Sequence, residues 1–164
     1  MNLNYFKMLF DYNCWANARV LDCASKLSEA EYTAVRPGVG SVRSKLTHAL
    51  GGEVMWLARF KGTSPKSMLK ENELPTFEAL RKRWQQQEEA MTAYVASLND
   101  AALDAPITYR STEGETFTRP LSYLLAHLAN HGTHTRSEVA VLLTELGHSP
   151  GDLDLVLYLR ERGM

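Results

Sequence analysis

The stretch ITYRSTEGETFTRPLSYLLAHLANHGTHTR, Ile107 to Arg136, decides how the chain folds and raises the question of what it does. Its first part alternates, is rich in threonine and aromatics, and has Glu113-Gly114 at its centre, the pattern of a small β-hairpin spanning Ala105 to Arg119. Pro120 then suits the first turn of a helix, where a missing N–H does no harm. From Leu121 to about Leu146 the apolar residues recur at helical spacing, and Gly147 ends the run. Three of the chain's five histidines lie in the middle of this helix, within HLANHGTHTR, His127 to Arg136.

Upstream, three more long segments carry the same period. Leu3 to Leu27 places Phe6, Leu9, Phe10, Asn13, Ala16 and Val20 on one stripe with a single polar member, Asn13. Ser28 to Glu31 reads as a capping box opening a short turn, and VRPGVGS (Val35–Ser41) as a loop. A second long helix begins near Ser41 or Val42 and runs to about Phe60, with Gly62 as its stop. Gly51 and Gly52 sit inside it, each costing roughly 1 kcal/mol against alanine, which points either to close approach of another element or ligand or to a tolerated weak spot. After a connection, Gly62 to Pro75, Thr76 caps a third helix from Phe77 to about Leu98. A loop and a short terminal helix close the chain. The expectation is all-α: one domain over 1–164, an up-down four-helix bundle with a small hairpin before the fourth long helix, and possible crossover in that last, longer connection.

Composition bounds the function. The chain has 164 residues, 45% hydrophobic, with 18 basic and 19 acidic side chains for a net charge of −1. That balance offers no basic stripe for nucleic acid. RKRW, Arg81 to Trp84, is the densest basic run, and QQQEE follows at once, so a solvated helix face is expected. No apolar run approaches the roughly 18 residues that span a bilayer, and the N-terminus is too broken by Asn, Lys and Asp for a signal peptide. Cys14 and Cys23 are nine apart on one helix, on opposite faces, so they cannot bridge; a reducing, cytoplasmic compartment is the expectation.

The histidines supply the candidate chemistry. His127 and His131 are four apart and share a face; Thr135 continues that row, and His134 lies on an adjacent line. Two imidazoles at such spacing present two nitrogens to one divalent ion such as zinc or nickel, and a third ligand must come from a facing helix. His48 is the only histidine of the second long helix, flanked by Leu46, Leu50, Val54 and Leu57. His148, beside Gly147 and Pro150, reads as a surface loop residue and not a ligand. Glu53, about 140° around the helix from His48, reads as solvated or supporting, and is the weak candidate for a general base.

Four pieces in order carry a resemblance over nearly the whole chain: LFDYNCWANARVLD with its Tyr-Asn-x-Trp-Ala-Asn run at Tyr12 to Asn17, GSVRSKLTHALGGEVMWLARFKG around His48 and Trp56, LLAHLANHGTHTR, and GHSPGDLDLVLYL. Together they resemble the DinB family of small four-helix-bundle proteins. The resemblance implies a divalent metal, nickel or zinc, held by one histidine of the second long helix and two of the fourth. It also implies a homodimer and, as in some relatives, a transferase or isomerase reaction using a small thiol. The family's Asn-His-x-x-His-His-Arg-Gly-Gln motif falls on Asn130 to Glu138. His131 matches a ligand, Thr135 stands where the second imidazole is expected, and Ser137-Glu138 replace Gly-Gln.

The expected ligand set is therefore His48, His131 and, by slight preference, His134. His127 from one turn earlier is the competing third donor, and Glu138 a further oxygen. The alternative expectation is a non-catalytic bundle with a degenerate metal site that binds a small ligand or dimerises. Asn13 and Trp15 are expected as a helix-packing polar residue and a core aromatic.

Overall fold

The computed structural model describes residues 2–164. Its elements are α1 (Leu3–Ala24), α2 (Glu29–Thr33), α3 (Val42–Phe60), α4 (Phe77–Ala96), β1 (Pro106–Arg110), β2 (Thr116–Pro120), α5 (Leu121–Glu145) and α6 (Leu155–Glu161). Four long helices and one antiparallel hairpin are thus where the sequence places them. The starts are set by local chemistry: the side chains of Asn2, Ser41 and Thr76 accept backbone N–H groups of the first turns of α1, α3 and α4, and Ser28 with Glu31 closes the expected capping box on α2. In the hairpin, Tyr109 pairs with Phe117, and Gly114 in the turn between the strands takes φ 95°. α5 begins at Leu121 as expected; Pro120 ends β2 and sits just before the first turn instead of within it, its ψ of 140° being still extended.

The order of the helices differs from the expected up-down arrangement. One core cluster joins Val20, Leu21 and Ala24 of α1, Val42 to Leu50 of α3, Leu80 and Trp84 of α4, and Val139 to Leu143 of α5. The other joins Leu3 to Phe10, Trp56 to Phe60, Met91 with Val95, and Leu121 to Leu128. The late parts of α1 and α5 therefore meet the early parts of α3 and α4, and the reverse holds at the other end. The bundle runs up-down-down-up. Because α3 and α4 are parallel, the connection that travels the length of the bundle is the one between them, not the one holding the hairpin. An extended chain over residues 61–76 can reach about 50 Å, whereas the 19 residues of α3 rise only about 28 Å.

That returning segment explains half of the glycine pair. A Cβ on Gly51 would stand 3.1 Å from Met68 Cε and 3.5 Å from Leu69 Cβ, so the connection lies against α3 where α3 has no side chain. The C-terminal α6 folds over α1: Tyr158 packs on Tyr12 and Trp15, and the Tyr12 hydroxyl donates to Leu153 O at 2.8 Å. Among the described residues no helix is long and apolar enough to cross a membrane. Cys14 and Cys23 are both free.

Candidate functional site

α3 and α5 pack antiparallel, which brings His48 and His131 face to face with ring centroids 5.3 Å apart. His127, one turn earlier on α5, is 6.1 Å from His131 and packs edge-on against Trp56 at 5.0 Å. The three imidazoles form a row along the α3–α5 seam. Gly52 is the second half of the glycine pair, and it serves this row: a Cβ there would fall 2.7 Å from His131 Cε1 and 3.1 Å from Nδ1. The His131 ring occupies the space that any other residue at position 52 would fill.

His131 is half-buried while His48, His127 and His134 are exposed. Burial, then the neighbouring charges of His48, His127 and His134, push the His131 pKa below the ordinary imidazole value, with Glu138 opposing weakly. His127 is pushed down as well, by burial and by Arg59. His131 is therefore neutral at pH 7, the form that donates a lone pair to a metal.

Of the expected set, the fold brings His48 and His131 together. His134 is an exposed neighbour that His131 feels through charge, whereas the rings packed on His131 are those of His48 and His127. Thr135 is buried, and its hydroxyl donates to its own helix, to His131 O at 3.0 Å and Gly132 O at 3.2 Å. Glu138 is engaged by Lys45 at 3.0 Å. His148 lies past the end of α5, its N–H bonded to Leu143 O. Among the described residues no group of three His, Cys, Asp or Glu side chains is gathered closely enough to hold one ion. As a donor set the histidines offer two facing imidazoles from different helices, His48 and His131, with His127 packed beside His131 and His134 exposed nearby.

Glu53 is half-buried. It belongs to a buried polar network on the other side of α3, most of which sequence reasoning missed. Arg136 is buried and forks to two amide oxygens, Nη2 to Asn13 Oδ1 at 2.9 Å and Nη1 to Asn17 Oδ1 at 3.1 Å. Asn17 Nδ2 in turn donates to Glu53 Oε1 and to Glu88 Oε1, both at 3.2 Å. Gln87 Nε2 donates to Glu53 O at 3.0 Å. Asn13, Asn17, Glu53 and Glu88 line a cavity of ≈ 10 Å³, about the size of one water.

Desolvation, then repulsion from Glu88, lifts the Glu53 pKa to about 7 against the pull of Asn17 and Arg136. Burial also raises Glu88, and it raises the Cys14 thiol to about 12, which leaves that thiol unreactive. The network ties all four long helices together at one level. Asn13 is thus the packing residue expected of it. Trp15 is half-exposed, its Nε1 donating to Glu161 at 2.8 Å with the Arg19 guanidinium 4.4 Å over its ring. The signal for the network was present as four polar residues at core-facing helical positions, but no rule of spacing pairs them across helices.

Comparison with known proteins agrees with this architecture. A curated relative, Protein DinB of Bacillus subtilis (strain 168), is 24% identical over 157 residues, which is 92% of this chain and 91% of that protein. The sequence model of the DinB family matches residues 1–164, and the chain belongs to the DinB family.

Proposed function

We propose that the chain is a divalent-metal-dependent enzyme in which His48 and His131 grip a zinc or nickel ion and His134 or His127 supplies the third nitrogen. The observation that carries this reading is the facing pair itself: two imidazoles from different helices at 5.3 Å, with Gly52 giving up its side chain to admit one of them. A bound ion would supply Lewis acidity, favouring the deprotonated form of a water or small thiol near neutral pH. The protein's part is to keep His131 neutral by burial, to fix its backbone through the Thr135 hydroxyl, and to leave the seam open beside the exposed His48. The reaction proposed is transfer of a small thiol to an electrophile, or hydrolysis. A homodimer in the cytoplasm fits the family resemblance and the two free cysteines.

The second reading, a non-catalytic bundle that binds a small ligand or a second copy, is favoured by Thr135, a buried residue that carries no side-chain nitrogen at the position where the family resemblance leads one to expect a ligand and whose hydroxyl is used by its own helix. Elemental analysis of tag-free protein separates the two. Metal near one per chain, removed by both His48→Ala and His131→Ala, supports the enzyme. Metal-free protein whose melting temperature ignores added zinc and nickel sinks it.

A further inference from the structure

The chain buries two arginines, Arg59 on α3 and Arg136 on α5. Arg136 is engaged by Asn13 and Asn17, with the charge of Glu53 close by. Arg59 has no such set of partners. It is only 7% exposed, yet no carboxylate lies within ion-pair distance of it among the described residues. Of its N–H groups, only one on Nη2 finds an acceptor, the neutral Arg110 O at 3.2 Å. Nε is buried without a partner. Nη1 has no protein acceptor either, but it is not sealed in as Nε is: it keeps accessible surface and its free donors.

The surroundings fix where this charge stands. Arg59 Cζ lies 4.6 Å from the Trp56 ring centroid and 4.9 Å from that of Tyr109, in the corner where the two rings meet edge-on at 5.0 Å. Both rings attract a cation, but neither carries a net charge to balance one, and burial pushes the Arg59 pKa down. The same Trp56 ring meets the exposed His127 at 5.0 Å, and the Arg59 charge reaches that imidazole. The one carboxylate whose charge reaches Arg59 is Glu113, exposed in the hairpin turn.

We propose that Arg59 Nη1 is the recognition point for a small carboxylate ligand whose other end extends past Trp56 to His127. The carboxylate supplies the counter-charge that the fold leaves out, in a charge-assisted hydrogen bond. The proposal deepens the metalloenzyme reading by giving its substrate an anionic group, and rests on that reading only for what the ligand meets at the histidine row; the anion site itself needs no metal.

The test is a titration of the metal-free full chain, nitrogen-labelled at its three tryptophans, with benzoate, benzamide and benzylamine. It is followed by NMR at the Trp56 indole N–H, which Trp56→Phe assigns. The pH is 8, where burial and Arg59 keep His127 neutral and unable to attract an anion itself. Benzoate is expected to shift the Trp56 signal saturably, and the amide and amine not to. Arg59→Met keeps an apolar stem, removes the charge, and should weaken benzoate by at least about tenfold. Glu113→Gln, at an exposed turn position, should tighten benzoate about twofold by removing the competing carboxylate, which keeps the proposal testable should Arg59→Met not fold. A Trp56 signal that ignores benzoate or responds equally to benzamide overturns the proposal, as does an affinity that Arg59→Met or Glu113→Gln leaves unchanged. A separate zinc titration keeps the two readings apart. Benzoate binding without zinc uptake strikes the metal reading alone, and zinc uptake with Trp56 silent to benzoate strikes the anion site alone.

Discussion

Gly52 on α3 lies directly beneath the His131 imidazole of α5, at a distance that leaves no room for a Cβ. In Gly52→Ala two effects oppose. Alanine gains up to about 1 kcal/mol of helix propensity, while a contact of 2.7 Å forces something to move. The imidazole is the free end of a half-buried side chain, so it gives way before either backbone does. Stability should change by less than about 1 kcal/mol, while displacement of His131 lowers zinc affinity by about tenfold or more. Urea unfolding and a zinc titration on the same protein check both halves; a large loss of stability with unchanged zinc binding would contradict the assignment.

Glu53 and Glu88 make stability fall as pH rises. Both carboxyls are raised in the folded protein by burial first, Glu53 from 4.5 to about 7. The folded state thus holds a proton that the unfolded chain releases. The stabilisation is complete below the unfolded value near 4.5 and is lost as pH climbs through about 7. For Glu53 alone this amounts to roughly 3 kcal/mol between the two limits. His131 acts in the opposite sense below its ordinary value, since its folded pKa is lowered. Comparing Glu53→Gln with the parent at pH 5, 6, 7 and 8 isolates the carboxyl: the variant should show the flatter profile and gain most at pH 8. Parallel profiles would mean that Glu53 is ionised throughout.

What could be read in the sequence is what local chemistry decides. Ser41 and Thr76 announce their helices because a cap needs only the next three residues, and Gly114 marks its turn because only the turn requires φ of 95°. The Gly51-Gly52 pair signalled close approach but not by what, since Met68 and His131 come from two different later segments of the chain. Helix order was misjudged because the length of a connection shows how far it can reach, not whether it does; the segment after Phe60 returns along α3 and the hairpin segment does not. Arg136 drew attention only as part of a motif. Its partners Asn13 and Asn17 lie more than a hundred positions away, and nothing in helical period records which polar residues at core positions will meet.

Arg136 is the cation on which that network is built. Its planar fork reaches two amide oxygens at once, a geometry that the single ammonium of lysine cannot reproduce. Arg136→Lys should therefore cost roughly 2–4 kcal/mol, close to the cost of Arg136→Met, because either leaves the oxygens of Asn13 and Asn17 short of a donor in a buried place. Arg136→Met, unlike Arg136→Lys, also removes the charge that holds the Glu53 pKa down, so in that variant the fall of stability with pH should move to higher pH. Urea midpoints at pH 6 and 8 test both effects. A lysine variant as stable as the parent would show that the fork is dispensable.

Thr135→His restores the imidazole that the family pattern leads one to expect. Thr135 is 1% exposed and its hydroxyl is satisfied by the helix itself, so the larger ring must displace packed neighbours. Overpacking of this kind costs about 1–3 kcal/mol in the metal-free protein. The new ring stands one turn beyond His131 on the row that already faces α3, where it completes a three-nitrogen set with His48 and His131. Zinc should then bind at least about tenfold more tightly than to the parent and raise the melting temperature further, because ligand that binds only the folded state stabilises it in proportion to concentration over Kd. Calorimetric titration of the two proteins decides the matter. If Thr135→His loses stability and gains no zinc affinity, the row containing His131 does not converge on His48, and the facing pair is a packing contact between two imidazoles.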